Sequence, residues 1–204
     1  MDQPSAPGHA HSVVAGCFAN GQPEAARYLV SRGAPVDFEG AAALGELSLV
    51  QSYFDEHGRL KPPATEAQMK SAFVYASGYG RKDVVNFLLQ RGIDPRDPGV
   101  RSSLHWAVYG AHPDILELLL KAGAPVNVRH ERRQFTPLEV ALFPWVRHPD
   151  EEQPERVYDV VRTLVAGGAK LDPQWFEQDD DRRRLAQAIG SNSKLQAALG
   201  GQVP

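Results

Sequence analysis

The sequence predicts an all-α solenoid of about five stacked helix–turn–helix units with short hairpin loops and a C-terminal helical cap. Three observations lead there: a phrase repeated at fixed spacing, an apolar stripe of helical period within each copy, and a small-residue segment before each copy. The phrase runs from a small residue through a polar opening and a Leu/Val/Phe-rich run to a second glycine. Its clearest copies are Gly80 to Gly92 and Ala111 to Gly123, each spanning 12 positions. Gly21 to Gly33 and Arg156 to Gly168 repeat the 12. Internal repetition of this kind marks an array of similar units.

Each part of the phrase has a physical role. Val84, Val85, Phe87, Leu88 and Leu89 fall at i, i+3, i+4 spacing, which puts them on one helix face. The closing glycine supplies a left-handed cap that ends the helix. The preceding segment, such as Leu104 to Gly110, is short and rich in small residues, so two antiparallel helices can approach closely. One such pair cannot bury its apolar face alone, and so the pairs must stack.

These residues resemble the ankyrin-repeat family. Ser102-Ser-Leu-His105 and Thr136-Pro-Leu-Glu139 are similar to its Thr-Pro-Leu-His opening, and they stand 34 residues apart. Leu118 to Asn127 and Gly33-Ala-Pro-Val-Asp37 are similar to its second helix and hairpin entry. The resemblance runs from about Ser12 to Asp172. It implies units at about 12–37, 38–60, 71–95, 102–128 and 136–172. Residues 1–11 read as a flexible lead, and 173–204 as capping helices and tail. Trp175, Phe176, Leu185, Ile189, Leu195 and Leu199 supply the cap's apolar face.

Two units depart from the pattern. Gly33 to Gly45 is too short for a full hairpin, so the second unit is expected to lack one. Its second helix is expected to run on to Gly58. The prolines of Lys61-Pro62-Pro63 then force an extended link. The fifth unit carries an insertion near 143–155, with prolines at 144, 149 and 154. It is expected to form a loop between the unit's two helices, either functional or merely tolerated.

Composition narrows the function. The formal net charge is −3, whereas nucleic-acid binders usually carry a basic surplus. No apolar run is long enough to cross a membrane. The first residues lack the basic start and apolar core of a secretory signal. These readings give a cytoplasmic protein without nucleic acid or membrane. Cys17 is expected to be a small buried residue in a reducing compartment. No cofactor, metal or catalytic constellation is indicated. His9 and His11 form an H-x-H without further ligands. Gly78-Tyr-Gly80 lacks the lysine and serine or threonine of a phosphate loop. Gln178 to Arg184 reads as a solvated helix start, acids before bases. The resemblance implies that His105 bridges backbone groups of neighbouring hairpins. Asp37 and Asn127 read as hairpin-entry residues that bond backbone.

The resemblance also implies that a partner protein meets the concave side, made of hairpin tips and exposed faces of the first helices. Exposed positions are then Ala19, Asn20, Ala43, Leu44, Gly78, Tyr79, Tyr109, Gly110, Phe143 and Pro144. Tyr75, Tyr79, Trp106 and Tyr109 form an aromatic group in adjacent units, either a binding floor or packing between repeats. Tyrosine and tryptophan are common interface anchors. Lys70, Arg101 and the run Arg129-His-Glu-Arg132-Arg133 place basic residues at the tips, which would suit an acidic protein segment. Phe143 and Trp145 of the insertion complete the candidate surface. Asp150, Glu151 and Glu152 either face the basic tips or keep the loop soluble. The function so read is a monomeric, non-catalytic protein-binding scaffold. The alternative is an inhibitor or immunity-type protein that covers an enzyme's active site with the groove and the loop.

Overall fold

The computed structural model describes residues 12–148 and 151–202. Five helical units follow one another, each with a first and a second helix. Unit one comprises α1 (Val13–Ala19) and α2 (Pro23–Ser31), and unit two α3 (Phe38–Leu44) and α4 (Leu47–Ser52). Unit three has α5 (Glu66–Gly78) and α6 (Lys82–Gln90), and unit four α7 (Ser103–Tyr109) and α8 (Pro113–Lys121). In unit five the first helix is broken into α9 (Pro137–Ala141) and α10 (Phe143–Arg147), with α11 (Glu155–Ala166) as the second. Three short helices close the chain: α12 (Pro173–Phe176), α13 (Asp180–Ile189) and α14 (Ser193–Ala198). No strand occurs among the described residues, only an isolated bridge between Phe54 and Leu60.

The first helices α1, α3, α5, α7 and α9 pack in series, and α4, α6, α8 and α11 form a second row. Local chemistry starts many of these helices. Proline occupies the first turn of α2, α8, α9 and α12, where its missing N–H costs no hydrogen bond. Turns between first and second helices are left-handed at Gly21, Gly45, Gly80 and Ala111 (φ +52° to +89°). The second helices of units one, three, four and five each end at a glycine of positive φ. Main-chain N–H groups there return to carbonyls of the last turn, as a left-handed cap requires.

The structure corrects four expectations. Asp37 does cap α3 directly, without a hairpin; but α4 stops at Ser52, well before Gly58. The Asp55 carboxylate accepts from the amides of His57 and Arg59 at 2.9 and 2.8 Å, which closes a turn where the helix was expected. Phe38 stacks on Tyr53 and meets Phe54 edge-on. Second, α5 begins at Glu66, not near Ser71. Thr65 and Gln68 form a reciprocal capping box there, which nucleates the helix just after the proline link.

Third, the insertion does not begin as a loop. Pro144 enters the first turn of α10, and Trp145 is fully buried against Tyr158, ring centroids 5.1 Å apart. Only after Arg147 does the chain become irregular, and α11 takes in Arg156, which had been aligned with the turn glycines. Fourth, Cys17 is half-buried rather than buried. The lead at 1–11, with His9 and His11, lies outside the described residues, as does Asp150.

Most of the core is one continuous cluster from Phe38 to Leu199. A smaller one joins Val14, Phe18, Ala26 and Ala43, with Tyr75 and Tyr79 packed on it. The last three helices bury Trp175, Phe176, Leu185, Ile189, Leu195 and Leu199. They lean on unit five, α13 on α10 and α14 on α11. Asp179 caps α13, and Asp180 and Asp181 pair with Arg183 and Arg184. Arg182 pairs with Asp179 at 3.2 Å and also lies over the rings of Phe135 and Trp175.

Candidate protein-binding surface

The four aromatics of the candidate floor divide into two pairs. Tyr75 and Tyr79 are half-buried against the small cluster that units one and two share. The Tyr79 ring meets Phe18 edge-on at 4.8 Å, and its hydroxyl donates to the Phe18 carbonyl at 2.6 Å. Burial raises the pKa of both phenols, which keeps the donor protonated. These two residues therefore hold repeats together. Trp106 and Tyr109 differ: they are 49% and 50% exposed, on one face of α7, with ring centroids 5.9 Å apart. Among the described residues, the large exposed hydrophobics are these two with Val13 and Tyr28.

α7 presents its aromatics between two depressions. On the tip side lies a groove of about 470 Å³, lined by Arg101, Trp106, Arg129, Arg132, His105 and His130 among others. On the other side lies a largely apolar cleft of about 280 Å³, lined by Val108, Tyr109, Val140, Phe143, Pro144 and Val157 among others. Trp106 borders the first and Tyr109 the second.

The groove's wall is fixed by main-chain bonds. His130 N–H donates to the Phe135 carbonyl at 2.9 Å, and the Arg129 guanidinium donates to the Gln134 carbonyl at 2.7 Å. Arg129 also stands 3.8 Å from Glu139, a carboxylate 1% exposed whose pKa burial raises. Glu139 closes a capping box with Thr136, so it serves the start of α9. Arg101 is half-buried at the groove's edge, while Arg132 is exposed. Arg133 is exposed beside the groove. Lys70, the third basic tip, is engaged by Asp97 at 2.8 Å.

His105 sits beneath the groove, 2% exposed. Its Nε2 hydrogen bonds the Phe135 carbonyl at 2.9 Å, which links unit four to unit five. A carbonyl only accepts, so Nε2 carries the proton. Burial, chiefly, lowers the His105 pKa, and the ring is neutral at physiological pH. Asn127 does the same kind of work, donating to Gly168 O and accepting from Lys170 N–H. Asp37 accepts from Gly40 and Ser12 amides.

Of the remaining candidates, Phe143 is half-buried against Phe135, ring centroids 4.9 Å apart. Ala43 is buried. Trp145 is wholly enclosed, so it cannot act as an exposed anchor. Glu152 meets Lys194 at 2.6 Å and Glu151 meets His148 at 3.4 Å; both acids thus pair outside the basic tips. No group of three or more potential metal ligands occurs among the described residues. No helix there is long and apolar enough to cross a membrane.

One structural device was not read from the sequence. His112, at the start of α8, donates from Nε2 to the Gly78 carbonyl at 3.1 Å. Its ring fills the space beside Gly80 and Gly110, where an added Cβ would lie within 2.6 Å of it. Arg81, at the start of α6, likewise reaches back to the Ala43 carbonyl at 2.8 Å and lies over Gly45. Each is the cap residue of a second helix clasping the first helix of the preceding unit. The signal in the sequence is a long polar side chain directly after the turn residue, as in Gly80-Arg81 and Ala111-His112.

The family model for ankyrin repeats (3 copies) matches residues 15–130, more than half of the chain.

Proposed function

The chain belongs to the ankyrin-repeat family, and from that premise we propose that it is a non-catalytic scaffold that binds a partner protein through the face of unit four. Ankyrin repeats generally mediate protein–protein interaction. One observation carries the local assignment: Trp106 and Tyr109 adjoin each other half-exposed on α7, between the arginine-lined groove and the apolar cleft. Aromatic anchors flanked by pockets are what interface hot spots are made of. Folded side chains of this kind bring much contact area at low entropic cost.

The surface also accounts for the basic tips. Arg101, Arg129 and Arg132 border the groove against the single acid Glu131, so a partner with carboxylates is the favoured kind. The inhibitor alternative uses both the groove and the inserted loop. Trp145 is enclosed in the core, so it offers no anchor there, and the face of unit four serves either mode of action.

The test is affinity capture from the native cell, comparing the wild-type chain with Trp106→Ala/Tyr109→Ala. The reading expects one or a few proteins held by the wild type and lost by the double variant, with thermal stability unchanged. Equal recovery by both chains would refute it.

A further inference from the structure

Building on that reading, we infer that unit four takes an extended segment of its partner with an acidic residue and a bulky apolar residue set three or four positions apart. The tip groove and the apolar cleft are separate depressions, the first with three arginines and the second with one, and α7 is the ridge between them. Arg101, Arg129 and Arg132 stand at the first. Val108, Val140, Phe143, Pro144 and Val157 line the second, with one arginine, Arg147, among them. Trp106 contributes to one and Tyr109 to the other, and their rings approach within 5.9 Å. The two sites are thus continuous across an aromatic surface.

The spacing follows from helix geometry. From Ser102, at the groove, to Tyr109, at the cleft, the helix advances seven residues. At ~1.5 Å per residue that is about 10 Å. An extended chain covers ~3.3 Å per residue, so about three residues bridge the distance, and a fourth allows for the width of each site.

Charge chooses the acid end. Three guanidiniums border the groove; the Arg129 head is half exposed, although Glu139 stands 3.8 Å away. Guanidinium forks match carboxylates in geometry as well as sign. The cleft, lined mainly by apolar side chains with the single arginine Arg147, takes the apolar residue, which would be desolvated against Val140 and Phe143. A segment with only one of the two features engages only half of the surface.

The experiment selects a phage-displayed library of random 12-residue peptides on the full-length protein, then measures a labelled consensus peptide by fluorescence anisotropy. Selected sequences are expected to pair Asp or Glu with Leu, Phe, Ile or Trp three or four positions away. For that peptide, Arg101→Ser/Arg132→Ser and Tyr109→Ala should each weaken binding about tenfold or more, a size in keeping with lost interface anchors. Raised salt should weaken the wild type more than the arginine variant, in which Arg129 alone of the three remains. Neutral or basic consensus sequences, no enrichment at all, or indifference to the spacing overturns the inference. So does equally tight binding of a single-stranded oligouridylate. If native capture depends on Trp106 and Tyr109 while the selected peptides lack the acid, this chemistry falls and the binding surface stands. If capture ignores both aromatics, the surface itself falls.

Discussion

The Tyr79 hydroxyl donates to the main-chain carbonyl of Phe18, 61 positions earlier, at 2.6 Å. This bond joins unit three to unit one across the short α3. It converts a residue expected on the binding floor into a tie between repeats. Tyr79→Phe should lower stability by up to about 1 kcal/mol, the ordinary net worth of an intramolecular hydrogen bond. Tyr79→Ala should cost about 3 kcal/mol or more, because the ring contact with Phe18 goes too. Urea unfolding measures both. Hydrogen exchange in Tyr79→Ala should accelerate first in α1 and α2, and uniform acceleration would assign the tyrosine elsewhere.

His112 and Gly110 make a second prediction. A Cβ on Gly110 would fall 2.4 Å from the His112 ring and 2.5 Å from the Gly78 carbonyl oxygen. Backbone cannot yield as a flexible side chain can, so Gly110→Ala should destabilise by about 2 kcal/mol, within the range for overpacking. Gly92 has open space around it, and there alanine meets only the strain of φ +94°. Comparing denaturation midpoints of the two variants separates crowding from backbone strain.

Trp145 belongs to the core. Trp145→Ala should cost about 3–5 kcal/mol, as for other enclosed aromatics. Trp106→Ala, at a half-exposed site, should change stability by less than about 1 kcal/mol. Thermal melts of the two variants decide the matter; near-equal losses would contradict the burial assigned to Trp145.

Acid should loosen the stack. Burial lowers the pKa of both His105 and His112 from 6.5, so the unfolded chain takes up these protons first. Their contribution is whole above about pH 6.5 and is lost as pH falls toward the folded values. His130 beside His105 adds to its depression; around His112, Asp114 opposes the shift and Arg156 and Arg81 favour it. Glu139, whose pKa is raised, acts with the opposite sign and stabilises the fold once protonated. The melting temperature should therefore fall as pH drops from 7 to the upper fives, and His112→Gln should flatten that slope. A slope identical in the variant removes His112 from the account.

Much of the architecture was legible because it is repetitive. The 12-residue phrase and its closing glycines report local requirements, helix period and left-handed caps, that any repeat must satisfy. What failed was set by tertiary contact. Trp145 reads as a loop aromatic among prolines, yet a proline in the first turn starts a helix as readily as it ends one, and Tyr158 offered the ring a partner. Tyr75 and Tyr79 read like Trp106 and Tyr109, at equivalent places in adjacent units. Only the packing of units one and two against the former pair, and the exposure of the latter, separates them. Lys70 and Arg101 looked alike for the same reason, until Asp97 was found to engage the lysine. The His112 clasp was harder to read because its acceptor is a backbone carbonyl, so the polar residue after the turn does not by itself name its partner.

The most direct measurement places a photo-crosslinking benzoylphenylalanine at position 109, and in a second chain at position 28. Tyr28 is the more exposed of the two, at 63%, and stands on α2, away from the groove and cleft. Binding through unit four predicts a crosslinked partner from position 109 and none from position 28. A crosslink from 28 alone contradicts it.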